Sequence, residues 1–171
     1  MSPAALILGA MNKADVQHLF DYLYWVNGRI LDTAEQLTTD ELTTPTSVTS
    51  RDLRATLVHE LDVEWSWRLN LQGTLAEDEA ELKPEYYPDL AAIRDHWRRD
   101  EAEMRAWLES LTDEEVAAPV RSELTRDARP LWQYLLHIVF HGVQQQADAA
   151  TLLTLARHSP GEIGYEEMLR G

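Results

Sequence analysis

Apolar residues recur along this chain at steps of three and four, the spacing that puts side chains on one face of a helix. The first such segment runs from Asp15 to Leu37. It carries Val16, Leu19, Phe20, Leu23, Val26, Ile30, Leu31 and Ala34 in a broad stripe that also takes in Asn27. Thr38-Thr39-Asp40-Glu41 then reads as the cap of a short helix that ends at Pro45. A second long helix is expected from a cap at Ser50 or Asp52 to about Gln72, where Gly73 stops it. A third runs from about Pro88 to Leu111 on a stripe of Leu90, Ile93, Trp97, Met104, Trp107 and Leu108. Thr112-Asp113-Glu114-Glu115 repeats the capped short-helix signal. Pro130 stands where a first-turn proline belongs and opens a fourth long helix to about Arg157. Ser159-Pro160-Gly161 begins a turn and a short final helix.

The stretches between are less regular. Residues 74–87 are acidic, with breaks at Pro84 and Pro88, and 119–128 suit a small turn or an extended pair. Four long amphipathic helices without a convincing strand predict an all-α protein, a four-helix bundle with short connecting helices. The long connections on either side of the third helix leave room for crossovers other than simple up-and-down. The whole of 1–171 is expected to form one domain, with 1–12 as an N-terminal extension.

Composition narrows the chemistry. The chain has no cysteine, so disulfides, thiolate metal sites, iron–sulfur clusters and a cysteine nucleophile are excluded. A net charge of −15 argues against nucleic acid, whose phosphates need clustered Lys and Arg. The apolar run Ala4–Met11 is too short to span a bilayer and lacks the basic start of a signal peptide, so a cytoplasmic location without membrane attachment is expected. No phosphate-binding glycine loop, nucleophile elbow or zinc-protease motif is present.

What remains is histidine. His137 and His141 stand four residues apart on the fourth helix, hence on one face, and Gln145 continues the row by another turn. His59 shares a stripe of the second helix with Thr56, Val63 and Trp67 and is expected to point inward. Two imidazoles on one helix and a third donor from a neighbour make a three-ligand site with an open position, the form a catalytic metal needs. Glu60, Glu64 and Asp148 are candidate acceptors for the outer ring N–H groups. His18, His96 and His158 read as ordinary hydrogen-bonded residues. Most of the six tryptophans read as packing, and Asp100/Glu101 as a solvated helix face. A polar face is the ordinary reading of Gln144-Gln145-Gln146; the other is that Gln145 offers its amide oxygen to a metal. Amide oxygen is a weaker ligand than imidazole for a borderline-soft ion.

These segments, taken together, resemble the DinB-like (DinB/YfiT) family. Tyr22, Trp25 and Asn27 match its Tyr-x-x-Trp-x-Asn opening. Thr56, His59, Glu64, Trp67 and Gly73 match its second helix, and 130–161 is similar to its fourth helix and the Ser-Pro-Gly turn beyond. The resemblance implies a bundle, often homodimeric, that holds a divalent metal through three histidines. Aligned through that turn, the ligand positions fall on His59, His141 and 145, with His137 matching an additional histidine one turn earlier. Position 145 is Gln here, so the resemblance implies His59, His141 and Gln145 as ligands, His137 as the alternative third, and weaker binding of zinc or nickel. It also implies a small-molecule substrate and a thiol cofactor of the mycothiol, bacillithiol or glutathione type, as in a metal-dependent thiol S-transferase. The alternative is a non-catalytic dimeric bundle that has lost its metal and acts as a ligand-binding or interaction module.

Overall fold

The computed structural model describes residues 11–76 and 81–171. Most of the proposed N-terminal extension and part of the acidic connection therefore lie outside the described residues. Four long helices dominate: α1 (Lys13–Ala34), α3 (Leu53–Gln72), α4 (Leu90–Ser110) and α6 (Leu131–Leu155). Short helices α2 (Thr39–Leu42), α5 (Asp113–Ala117) and α7 (Tyr165–Arg170) lie between and after them, and Pro84–Tyr86 forms one 3-10 turn. No helix among the described residues is long and apolar enough to cross a membrane.

The caps follow from side-chain chemistry. Asn12, Thr38 and Thr112 each accept the backbone N–H three residues on, while Asp15, Glu41 and Glu115 reach back to the cap residue's own N–H. Each such cap stabilises its helix by about 1 kcal/mol. Asp52 caps α3, and Gly73 ends it in the left-handed region at φ 69°, which costs glycine nothing. The extended pair expected in 119–128 is a short antiparallel hairpin, β1 (Pro119–Arg121) with β2 (Ala128–Pro130). Pro130 closes this hairpin opposite Pro119 with extended backbone, φ −49° and ψ 135°, so it stands just before α6 rather than in its first turn.

Side-chain pairs fix the helix directions. Gln17–Glu109, Asp21–Arg105 and Asp32–Arg94 run α1 antiparallel to α4. His59–His141 and Trp67–Tyr134 run α3 antiparallel to α6. By contrast, Glu64–Trp97 and Arg68–Asp100 advance together, so α3 and α4 are parallel. Leu23 meets Gly142 and Asn27 meets Gln146, so α1 and α6 advance together and are parallel as well. The bundle is thus not simply up-and-down.

The core has two apolar parts. One holds Val26, Ile30, Leu57, Leu61, Ile93, Trp97 and Leu153; the other holds Phe20, Leu23, Met104, Leu108, Leu135 and Ile138. On every long helix a buried polar residue falls at the junction: Asn27, Glu60 and Glu64, Asp100, and Gln146. Gln146 Nε2 donates to the Leu23 carbonyl at 3.0 Å and to Glu60 Oε1 at 3.2 Å, with the Asn27 amide beside both. Trp97 Nε1 donates to Glu64 at 3.3 Å, and the Tyr24 hydroxyl donates to the same carboxyl. Arg68 donates twice to Asp100 Oδ1, at 3.0 and 2.5 Å.

This layer corrects two expectations. Asp100 is not on a solvated face; it is buried and paired. The core face of α3 is Leu57, Glu60, Leu61, Glu64 and Arg68, which leaves His59, Val63 and Trp67 half-buried on its flank. Sequence periodicity favoured the wrong stripe because three of the five inward residues are charged.

Candidate metal centre

The flank is where α3 meets α6. His59 and His141 lie opposite one another there, with Nε2 atoms 3.2 Å apart and rings nearly perpendicular at 78°. One Nε2–H donates to the other Nε2. Their proximity rests on the tight approach of the helices. At Gly142, next to His141, a Cβ atom would come within 2.4 Å of Leu23 Cδ1 and 3.3 Å of Glu60 Oε1. Only glycine leaves that space.

Electrostatics keep both rings neutral. Burial, then the charges of His59, His137 and Arg51, pushes His141 down to about 4. Burial and Arg51 lower His59, while Asp62 and Glu81 oppose them. Asp62 is itself fixed by accepting the Leu82 N–H at 2.7 Å. Neutral imidazole is the form that binds a metal.

The donor set fits a borderline-soft divalent ion. Two nitrogens that each lie about 2.0–2.1 Å from a tetrahedral ion stand a little over 3 Å apart, which the histidine pair already does. Gln145, one turn beyond His141, is buried, and its Oε1 has no hydrogen-bond partner. A buried acceptor left unpaired costs about 1–3 kcal/mol, so it marks a place where a ligand would be favourable. Among the described residues no three His, Asp or Glu side chains gather as a metal-holding group. Gln145, the third donor that the family resemblance implies, is an amide and so outside that group.

The remaining candidates are placed as follows. His137 leans on Trp67, with ring centroids 4.8 Å apart, and its ring centre is 6.5 Å from that of His141. Gln144 is exposed, whereas Gln146 belongs to the core layer. Glu60 and Glu64 face the core and hydrogen-bond there rather than supporting the histidines. His18, His96 and His158 hydrogen-bond to Tyr165, Tyr87 and Gln36, in keeping with their ordinary reading. Arg51, which makes no ion pair among the described residues, was not singled out in the sequence. Its place just ahead of the Asp52 cap gave no hint of its reach.

No curated protein matches this sequence. Solved structures share the fold, two of them as follows. One, described as a sibling lethal factor precursor, DfsB, is 14% identical with a TM-score of 0.65, over 88% of this chain and all of that one. The other, a conserved protein from Enterococcus faecalis, is 16% identical with a TM-score of 0.59, over 85% of this chain and 98% of that one. The family model described as DinB matches residues 11–170, nearly the whole length, and the chain belongs to the DinB family.

Proposed function

We propose that this protein binds a divalent metal, zinc or nickel, through His59, His141 and Gln145, and that it serves a thiol-dependent transfer reaction on a small molecule. The observation that carries the reading is the approach of two neutral imidazoles to 3.2 Å, with a buried amide oxygen that has no partner one helical turn beyond His141. His59, His141 and Gln145 would hold such an ion, which would favour the thiolate form of a thiol at neutral pH. The chain has no cysteine, so the thiol would come from a low-molecular-weight cofactor. The protein's own part is to keep the two rings neutral by burial and Arg51, and to fix their spacing by helix packing at Gly142.

A second reading has its own support. The two histidines already satisfy each other, and no third histidine or carboxylate joins them among the described residues. This is what a bundle that serves only as a ligand-binding or interaction module would show. Calorimetric titration with zinc and nickel at neutral pH separates the two. Uptake by the wild type that His59→Ala and His141→Ala abolish supports the metal centre; no uptake supports the module. Both readings include a cytoplasmic homodimer, the commonest closed assembly. Phe140, 61% exposed beside His141, is an apolar surface for such a contact. A monomeric mass by light scattering would remove that part.

A further inference from the structure

A small pocket opens beside the histidine pair, on the side of His141 away from Gln145. Its volume is about 160 Å³, and it is lined by Trp67 of α3, Thr125 and Arg129 of the hairpin, and Gln133, Tyr134 and His137 of α6. A cavity of about 150 Å³ is enough to admit one benzene ring, whereas sites for drug-sized ligands start near ~300 Å³. The space therefore suits a single ring.

Its lining sorts by chemistry. Trp67 lies 5.5 Å from Tyr134 and 4.8 Å from His137, centroid to centroid, so the three rings form a continuous aromatic wall. The polar end of Tyr134 is already used, since its hydroxyl donates to the Asp127 carbonyl at 2.7 Å. Tyr134 thus offers a ring face rather than a donor. Arg129 differs. One of its Nη atoms donates to the Asp127 carboxylate at 3.0 Å, and most of the five donors of a guanidinium remain available. The Gln133 amide makes no hydrogen bond among the described residues and supplies a further donor. Arg129 is the one Lys or Arg in the lining, at the rim of an otherwise aromatic and neutral slot.

We infer that this pocket is a substrate subsite for a planar ring bearing a carboxylate, the ring against Trp67, Tyr134 and His137 and the carboxylate on Arg129. The inference rests on the proposed metal–thiol reading only for calling the occupant a substrate; the pocket needs no metal to bind it. It also gives His137 a role as the wall between the pocket and the histidine pair, distinct from metal ligation.

The test is a nuclear magnetic resonance titration of the full metal-free chain with benzoate and with benzyl alcohol, which offers the ring without the charge. Saturable benzoate shifts are expected at the Trp67 indole and the His137 ring. Arg129→Gln, at an exposed position that should not affect folding, is expected to weaken benzoate about tenfold and to change benzyl alcohol by less than about twofold. Trp67→Leu is expected to weaken both. The proposal is overturned if benzoate does not bind saturably, if its shifts fall on other residues, or if Arg129→Gln leaves its affinity unchanged. Normal zinc uptake without benzoate binding defeats the pocket alone. Benzoate binding in a chain that takes up no metal keeps the pocket and defeats the metal reading.

Discussion

The Nε2 atoms of His59 and His141 stand 3.2 Å apart although 82 residues separate them in the chain, and one turn beyond His141 stands an amide, Gln145, whose oxygen has no partner. Imidazole is the better ligand for zinc or nickel. Gln145→His is therefore expected to tighten zinc binding by roughly tenfold, about 1.4 kcal/mol. His137→Ala should leave zinc affinity nearly unchanged, because that ring packs on Trp67. Calorimetry of both variants decides the assignment. If Gln145→His has no effect and His137→Ala abolishes binding, the third ligand is His137.

Glu64 sets a pH dependence of stability. Burial, with the nearby charge of Asp100, raises its carboxyl to about 8, against 4.5 when unperturbed. The folded chain therefore holds a proton that the unfolded chain releases between those values. Stability is highest below the lower value and falls as pH rises through the window, by at most about 1.4 kcal/mol per pH unit from this group. Glu64→Gln keeps a neutral side chain at every pH. Its urea midpoint is expected to drop less than that of the wild type between pH 5 and 8; equal slopes would rule the assignment out.

The Arg68–Asp100 pair is almost wholly buried, with side chains 7% and 1% exposed. Asp100→Ala would strand the guanidinium in the core, which typically costs about 3–5 kcal/mol. Replacing both partners, as Arg68→Met with Asp100→Leu, should recover most of that loss. Denaturant unfolding of Asp100→Ala, Arg68→Met, Asp100→Leu and the double variant checks this, and an additive double variant would show that the pair is not coupled.

Gly142→Ala is expected to cost about 1–3 kcal/mol, because the added methyl meets Leu23. Leu23→Ala in the same chain opens space for it, so the two changes should be less than additive. Thermal unfolding of the single and double variants measures the coupling. Full additivity would mean that α6 moves away from α1 rather than pressing on Leu23.

The elements that the sequence announced are those fixed by neighbours a few residues away. Thr38 with Glu41, Thr112 with Glu115, and Asp52 with Gly73 each mark a helix end within one turn. The four long helices were legible for the same reason, from periodicity on each, whereas the approach of His59 to His141 was legible from the family pattern. The polar layer was not. Glu60, Glu64, Arg68 and Asp100 look like surface charges because their partners lie on other helices, and a periodic reading sees only one helix at a time. The pocket at Trp67 was hidden in the same way, since Arg129 reaches it only through the turn of the hairpin.

The directions of the long helices bear on how the chain first collapses. The adjacent antiparallel pairs each skip a helix: α3 and α4 are parallel, those pairs are α1 with α4 and α3 with α6, and α1 meets α3 across the core at Tyr24–Glu64. A bundle of consecutive hairpins can start from any two neighbouring helices joined by a short loop. This chain must close connections spanning other helices before either antiparallel pair can form. Loop-closure entropy is lost before contacts repay it, so folding should be slow for an all-helical protein of this size. The histidine pair joins residues 82 apart, so the candidate metal centre comes together only once such a closure has been made.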